Sequence, residues 1–295
     1  MHWRIRTAAM FAAMTALLVV IGILVGGYFG NWTYGLAVML VISVAFNLFS
    51  YFGSKRMALA MHKVRIVTYD EEPRLYRIVE NLAMNAGLPM PEVGVSEMPM
   101  PNAFATGRNP KNAAVVATRQ LLNLLNDDEL EGVMAHELSH VKNRDILVMS
   151  VASTMASLVS YVTHMAVWAA MFNNDENNGG NLLVAILADI TLPIAAALIQ
   201  LGVSRNREYL ADESGGRLTG RPMALASALT KLESGCSART NNYDSPSSAN
   251  MWITNPFGQR QTRGLINIFR THPTTPDRIE RLKKLDEELN GVHHF

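Results

Sequence analysis

Ala135-His136-Glu137-Leu138-Ser139-His140-Val141 is the stretch whose reading decides the rest of the chain. Its His-Glu-x-x-His spacing sets two imidazoles four residues apart. On a helix such positions lie nearly one above the other, so both rings can reach one metal ion. Glu137 then sits beside the metal, placed to take a proton from a bound water. The surroundings support a helix: Asn126 and Glu129 form a capping box for a segment running from Asp127 to about Asn143.

A catalytic zinc needs a third protein ligand and an open position for water. The best source lies downstream, in Ser204-Arg205-Asn206-Arg207-Glu208-Tyr209-Leu210-Ala211-Asp212. Glu208 and Asp212 are again four apart on a predicted helix. One of the two carboxylates can bind metal while the other accepts the free N–H of a ligand imidazole. The competing reading is a charged helix face on which Arg205 or Arg207 pairs with these acids. Cys236 is the single cysteine of the chain, which excludes an intrachain disulfide and a thiolate zinc cluster. Any metal must therefore be held by His and carboxylate.

Composition places this chemistry at a membrane. Of the 295 residues, 49% are hydrophobic and 17% charged, against roughly 25% charged in a soluble domain. A net charge of +1 offers no basic field for nucleic acid. No charged residue occurs between Arg6 and Lys55, and within that stretch Thr7–Phe29 and Trp32–Phe52 are each long enough to cross a bilayer. The first apolar run exceeds the ~7–15 residues of a signal-peptide core, and a second span follows at once. A further uncharged stretch covers Ile146–Asn174, and Leu182–Val203, which contains Asp189 and Pro193, is the fourth and weakest span. Lys and Arg flank the four spans on one side, while the two short connecting loops have none. The positive-inside rule then puts both termini and the polar sections in the cytoplasm.

The polar sections read as compact structure. Asp70 and Pro73 open a helix ending at Gly87, and Val93–Val95 and Ala113–Thr118 have the character of short strands. Two more helices are expected over Pro222–Glu233 and Pro276–Leu289, with a Ser- and Asn-rich loop over Ser237–Asn250. Met251-Trp252-Ile253 in the following stretch reads as local packing, and His2, His293 and His294 as uninvolved termini. The organisation is a membrane hairpin (1–54), a catalytic part with the His-Glu-x-x-His helix (55–145), a second hairpin (146–204) and a part carrying the third ligand (205–295). The fold class is a mostly helical membrane protein with a small β-sheet, a zincin-type catalytic domain and four transmembrane helices.

Four ordered motifs now carry a resemblance: Asn102-Ala103-Phe104-Ala105-Thr106-Gly107, the His-Glu-Leu-Ser-His helix, Arg205–Asp212, and His272-Pro273 ahead of Arg278-Ile279. Together with the two apolar hairpins they resemble the HtpX family, bacterial heat-shock membrane proteases related to the peptidases that trim prenylated proteins. The resemblance implies one zinc per chain held by His136, His140 and Glu208. It implies Glu137 as the base, Asp212 behind the ligands, His272 near the scissile carbonyl, and Asn102, Ala103, Phe104 and Ala105 on a substrate-lining edge strand. Arg278 reads as an ion-pair partner more than an oxyanion donor. The implied activity is zinc-dependent endoproteolysis of misfolded or damaged membrane proteins at the bacterial inner membrane, as quality control under stress. The rivals are a processing peptidase for lipidated C-termini and a non-catalytic scaffold stabilised by zinc. A scaffold has no use for Glu137.

The second hairpin holds one further expectation. His164 and Asp189 fall at similar depth in an antiparallel pair of spans, and ionisable groups inside a bilayer usually find a partner. Snorkelling of both to the interface is the alternative. Pairing predicts that Asp189→Leu and His164→Leu each destabilise the protein, whereas the double change recovers much of the loss in an unfolding assay. Losses that simply sum would leave the pair without support.

Overall fold

The chain begins with two long apolar helices, α1 (His2–Tyr28) and α2 (Trp32–Met61). At 27 and 30 residues both exceed the roughly 20 needed to span a bilayer, and both are long and apolar enough to cross one. Asn31 caps α2 by accepting a hydrogen bond from the Tyr34 amide at 3.0 Å. The two helices run antiparallel and close. A Cβ on Gly35 would run into the Gly22 carbonyl oxygen, and one on Gly26 would meet the Gly35 Cα at 2.9 Å. Small residues spaced four apart, here Gly22 and Gly26, let helices pack backbone to backbone where no hydrophobic effect drives them together. Deeper in the hairpin the Asn47 amide donates to the Thr15 hydroxyl at 2.9 Å. Outward-facing Leu40, Val41, Val44, Leu48 and Phe49 stay exposed, an apolar surface suited to lipid.

The structure is a computed structural model describing residues 2–28, 30–157, 205–237 and 273–291. The expected fourth span, the greater part of the third, the His164–Asp189 pair, His272, Met251-Trp252-Ile253 and His293–His294 lie outside the described residues. The second span expected over Trp32–Phe52 belongs to a helix that continues to Met61. Met57-Ala58-Leu59-Ala60-Met61 are strong helix formers, and the helix stops only where Lys63 turns to φ 48°.

Beyond that turn lies a four-stranded sheet of order β1-β2-β4-β3, built from β1 (Val64–Ile66), β2 (Glu92–Ser96), β3 (Ala103–Gly107) and β4 (Ala113–Thr118). β2 and β4 are parallel; β1 pairs antiparallel with β2, and β3 with β4. β1 and the helix α4 (Arg119–Leu124) had no strong sequence signal, being only three and six residues long. Alternation along the strands gives the sheet two apolar faces. Ala103, Ala105, Val93, Val95 and Val115 point into the main core with α3 (Pro73–Ala86) and α5 (Asp127–Lys142), while Phe104 and Val116 pack on Ala58 at the end of α2. The sheet therefore joins the membrane hairpin to the polar part.

After α5 the chain turns at Arg144, with φ 60°, into α6, described over Asp145–Ser157. Its Leu147, Val148, Val151 and Met155 pack on Met10, Met14 and Leu17 of α1. Helices α7 (Arg205–Thr219), α8 (Pro222–Ser237) and α9 (Thr275–Asn290) complete the described part, with α7 and α8 laid against α5. The molecule is thus mostly helical with a small sheet, as expected.

Replacing Gly35 by Leu should separate α1 from α2 and destabilise the protein by about 1–3 kcal/mol, the usual cost of overpacking. Thermal unfolding in detergent checks this. A midpoint equal to wild type would mean the hairpin does not depend on that close approach.

Candidate active site

α5 is buried on nearly every side, including His136, Glu137 and His140. A helix with acids and imidazoles in that position needs firm anchoring. The capping box between Asn126 and Glu129 supplies it at the N-terminus, and the Glu129 carboxylate is held further by Ser227 Oγ and Lys231 Nζ of α8, each at 2.7 Å. Close approach is secured by glycine. A Cβ at Gly215 of α7 would lie 3.0 Å from the His136 backbone nitrogen, and one at Gly132 of α5 would lie 3.0 Å from that of Leu225. Larger residues would push α7 and α8 off the helix they must touch.

That contact brings three donors together. His136 Nε2 and His140 Nε2 are 3.3 Å apart, with ring planes crossed at 87°. Glu208 Oε2 lies 3.7 Å from the first nitrogen and Oε1 3.5 Å from the second. The three residues form a group that could hold a metal ion. Their chemistry and spacing fit zinc: ligands about 2.0–2.1 Å from a tetrahedral ion stand roughly 3.3 Å from one another. Asp212, one turn after Glu208, lies behind His136, its Oδ1 2.9 Å from Nδ1. Arg278 of α9 grips the same carboxylate through Nη2 at 2.6 Å and Nε at 2.7 Å, fully buried. This is the ion-pair role expected for Arg278. Arg207 pairs with Asp145 at the start of α6.

Electrostatics separate the two rings. Burial presses the His136 pKa down, but Asp212 and Glu208 outweigh it and raise the group to about 9. Burial lowers His140 below its usual range. For Asp212, burial works upward and is overcome by the Arg278 charge, so its carboxyl titrates below the usual range. Glu137 is raised, mainly by burial, while the backbone N–H of Ala105 donates to it and works the other way. The expected substrate strand is thereby linked to the expected base. Asn102, Ala103, Phe104 and Ala105 lie at or on the outer strand β3, buried here to between 1% and 6% exposure.

One acid near the rings carried no sequence signal of its own. Asp145 Oδ2 faces His140 Nδ1 at 3.4 Å, from the first turn of α6. Its only hint was position, as the last charged residue before a long uncharged run.

A membrane-associated metallopeptidase is the class that these helices and this donor set define, and comparison with known proteins agrees. Residues 70–286 match peptidase family M48. The chain is 46% identical over 292 residues to a "Protease HtpX homolog" of Pyrococcus furiosus, covering 98% of each. A protein of the same description from Syntrophobacter fumaroxidans is 44% identical over 287 residues, covering 96% of this chain and 99% of the relative. The crystal structure of S. mikatae Ste24p aligns with a TM-score of 0.46 at 20% identity, covering 95% of this chain and 64% of that one, too slight a likeness to carry an argument. This chain belongs to peptidase family M48, and it is a metallopeptidase that hydrolyses peptide bonds.

The raised His136 pKa has a measurable consequence. A metal taken up by this ring must displace its proton, so apparent affinity should rise with pH, by up to about tenfold per unit for one proton. The rise should level off near the metal-free pKa of about 9. Asp212→Asn removes the negative partner and should bring the plateau to lower pH, with about a 10–100-fold loss of affinity. Chelator competition across about pH 6 to 10 reads both effects. Affinity that stays flat between neutral pH and 9 would contradict the protonated ring.

Proposed function

We propose that the protein is a zinc-dependent endopeptidase of the membrane that removes unfolded or misassembled membrane proteins, with its site and both termini on the cytoplasmic side. One observation supports the mechanism: the buried Glu137 carboxylate accepts a hydrogen bond from the amide of Ala105 on an outer strand and feels the charges of His136, His140 and Glu208. His136, His140 and Glu208 would hold the zinc. When bound, zinc supplies Lewis acidity, polarising the scissile carbonyl and lowering the pKa of a water to about 7.

The chain's own residues do the rest. Glu137, whose pKa burial raises, is suited to take a proton from the attacking water and hand it to the leaving amine nitrogen. Asp212 fixes the His136 ring with Nδ1 turned away from the donor cluster, and Arg278 fixes Asp212. His272 is the candidate to stabilise the carbonyl oxygen as charge develops there. An extended substrate would align along β3 near Asn102–Ala105, pairing backbone to backbone with little demand on side chains. Such recognition suits varied, unfolded chains. The apolar surfaces of α1 and α2, joined to the sheet through Ala58 and Phe104, would deliver substrate from the bilayer.

Glu137→Gln should keep one zinc while turnover of casein or an unfolded membrane protein falls by about 10²–10⁴-fold, the usual worth of a general base. Glu208→Ala should instead lose metal. A Glu137→Gln protein with bound zinc and near wild-type proteolysis would sink the mechanism. Cleavage confined to a defined lipidated C-terminal peptide would replace the quality-control reading with a processing one.

A further inference from the structure

Each imidazole of the donor cluster is backed by the same arrangement. His136 Nδ1 meets Asp212 at 2.9 Å, and Asp212 is held by Arg278. His140 Nδ1 faces Asp145 Oδ2 at 3.4 Å, and Asp145 Oδ1 is paired with Arg207 Nη1. Asp145 is only 2% exposed. A buried carboxylate is strongly disfavoured unless it is paired and hydrogen-bonded. Here His140 and Arg207 are the partners among the described residues. The placement is built by the backbone: the positive-φ turn at Arg144 folds the start of α6 back beneath the last turn of α5.

We infer that Asp145 is a positioning residue for the metal centre, accepting the Nδ1 hydrogen of His140 so that Nε2 stays bare toward His136 and Glu208, with Arg207 holding Asp145 in place. The inference rests on the reading of His140 as a ligand. A ring whose Nδ1 carries the hydrogen presents its other nitrogen as a lone pair, and a carboxylate behind it makes that lone pair a better donor. The two arrangements also differ in what they tie down. Asp212 shares a helix with Glu208, so the first joins α5 to α7 and α9. Asp145 opens α6 and Arg207 directly precedes Glu208 in the first turn of α7, so the second ties the starts of α6 and α7 to the cluster.

The test uses the full-length protein in detergent, with zinc affinity read by chelator competition and the ligand field by the visible spectrum of the cobalt-substituted form. Asp145→Asn should lower affinity about 10–100-fold and shift the cobalt bands while circular dichroism stays at wild type. Asp145→Glu should recover part of the affinity, which a purely structural role would not predict. Arg207→Gln should cost less, and the Asp145→Asn/Arg207→Gln pair should bind no more weakly than Asp145→Asn alone, because Arg207 acts through Asp145. His140→Ala separates the two claims. If it loses metal while Asp145→Asn keeps wild-type affinity and cobalt bands, the positioning role is overturned and the ligand reading stands. If His140→Ala itself keeps wild-type affinity, the ligand reading falls and the inference with it. Should Asp145→Asn fail to fold, unchanged affinity and bands in both Asp145→Glu and Arg207→Gln overturn the proposal.

Discussion

Four carboxylates, those of Glu137, Asp145, Glu208 and Asp212, are buried around a single pair of imidazoles, and the cost of keeping charge away from water governs everything near them. Two guanidiniums answer them among the described residues, Arg278 on Asp212 and Arg207 on Asp145. That leaves a deficit of two positive charges, which one divalent cation makes good. Asp212 and Glu208 raise His136 to about 9 against the pull of burial, while burial itself raises Glu137. A cation shared by His136, His140 and Glu208 would couple its own binding to the packing of α5 on α7. Removing one partner from such a set strands another, so the members act as a unit.

The helices are arranged to make that packing possible. α5 is the axis, anchored by its capping box and by Lys231 and Ser227, and it lies in the core with apolar and ionisable residues equally enclosed. Glycine sets the distances. Gly215 admits the backbone of α7 against the turn holding His136, and Gly132 admits α8 on the other side. A side chain at Gly215 would press on the backbone that carries His136, and one at Gly132 would press on Leu225 of α8.

Two apolar elements reach the same centre. α2 runs without a break from the apolar hairpin to Ala58, which packs beneath Phe104 on the outer strand. α6 leaves the donor cluster at Asp145 and immediately packs on α1, while its Ser150 meets the Thr106 hydroxyl of β3 at 2.9 Å. The strand facing Glu137 is therefore braced by both apolar elements, so a shift of these helices would bear directly on Glu137.

What the sequence determined by itself was local. A four-residue spacing places His136 above His140 on any helix, Asn126 and Glu129 cap that helix wherever it lies, and an uncharged run of sufficient length makes α1 and α2 membrane-compatible. These features depend on neighbours within a turn or two, or on composition alone. Tertiary structure decided the rest. Sequence spacing left Glu208 and Asp212 interchangeable; the approach of α7 to α5 turns Glu208 toward both Nε2 atoms and Asp212 toward Nδ1 of His136. Arg207, which the competing reading paired with those acids, pairs with Asp145 because α6 folds back beneath α5. The three-residue β1 is a strand only because β2 lies beside it. Each of these depends on which distant segment removes a group from water, and that contact is long-range in the chain.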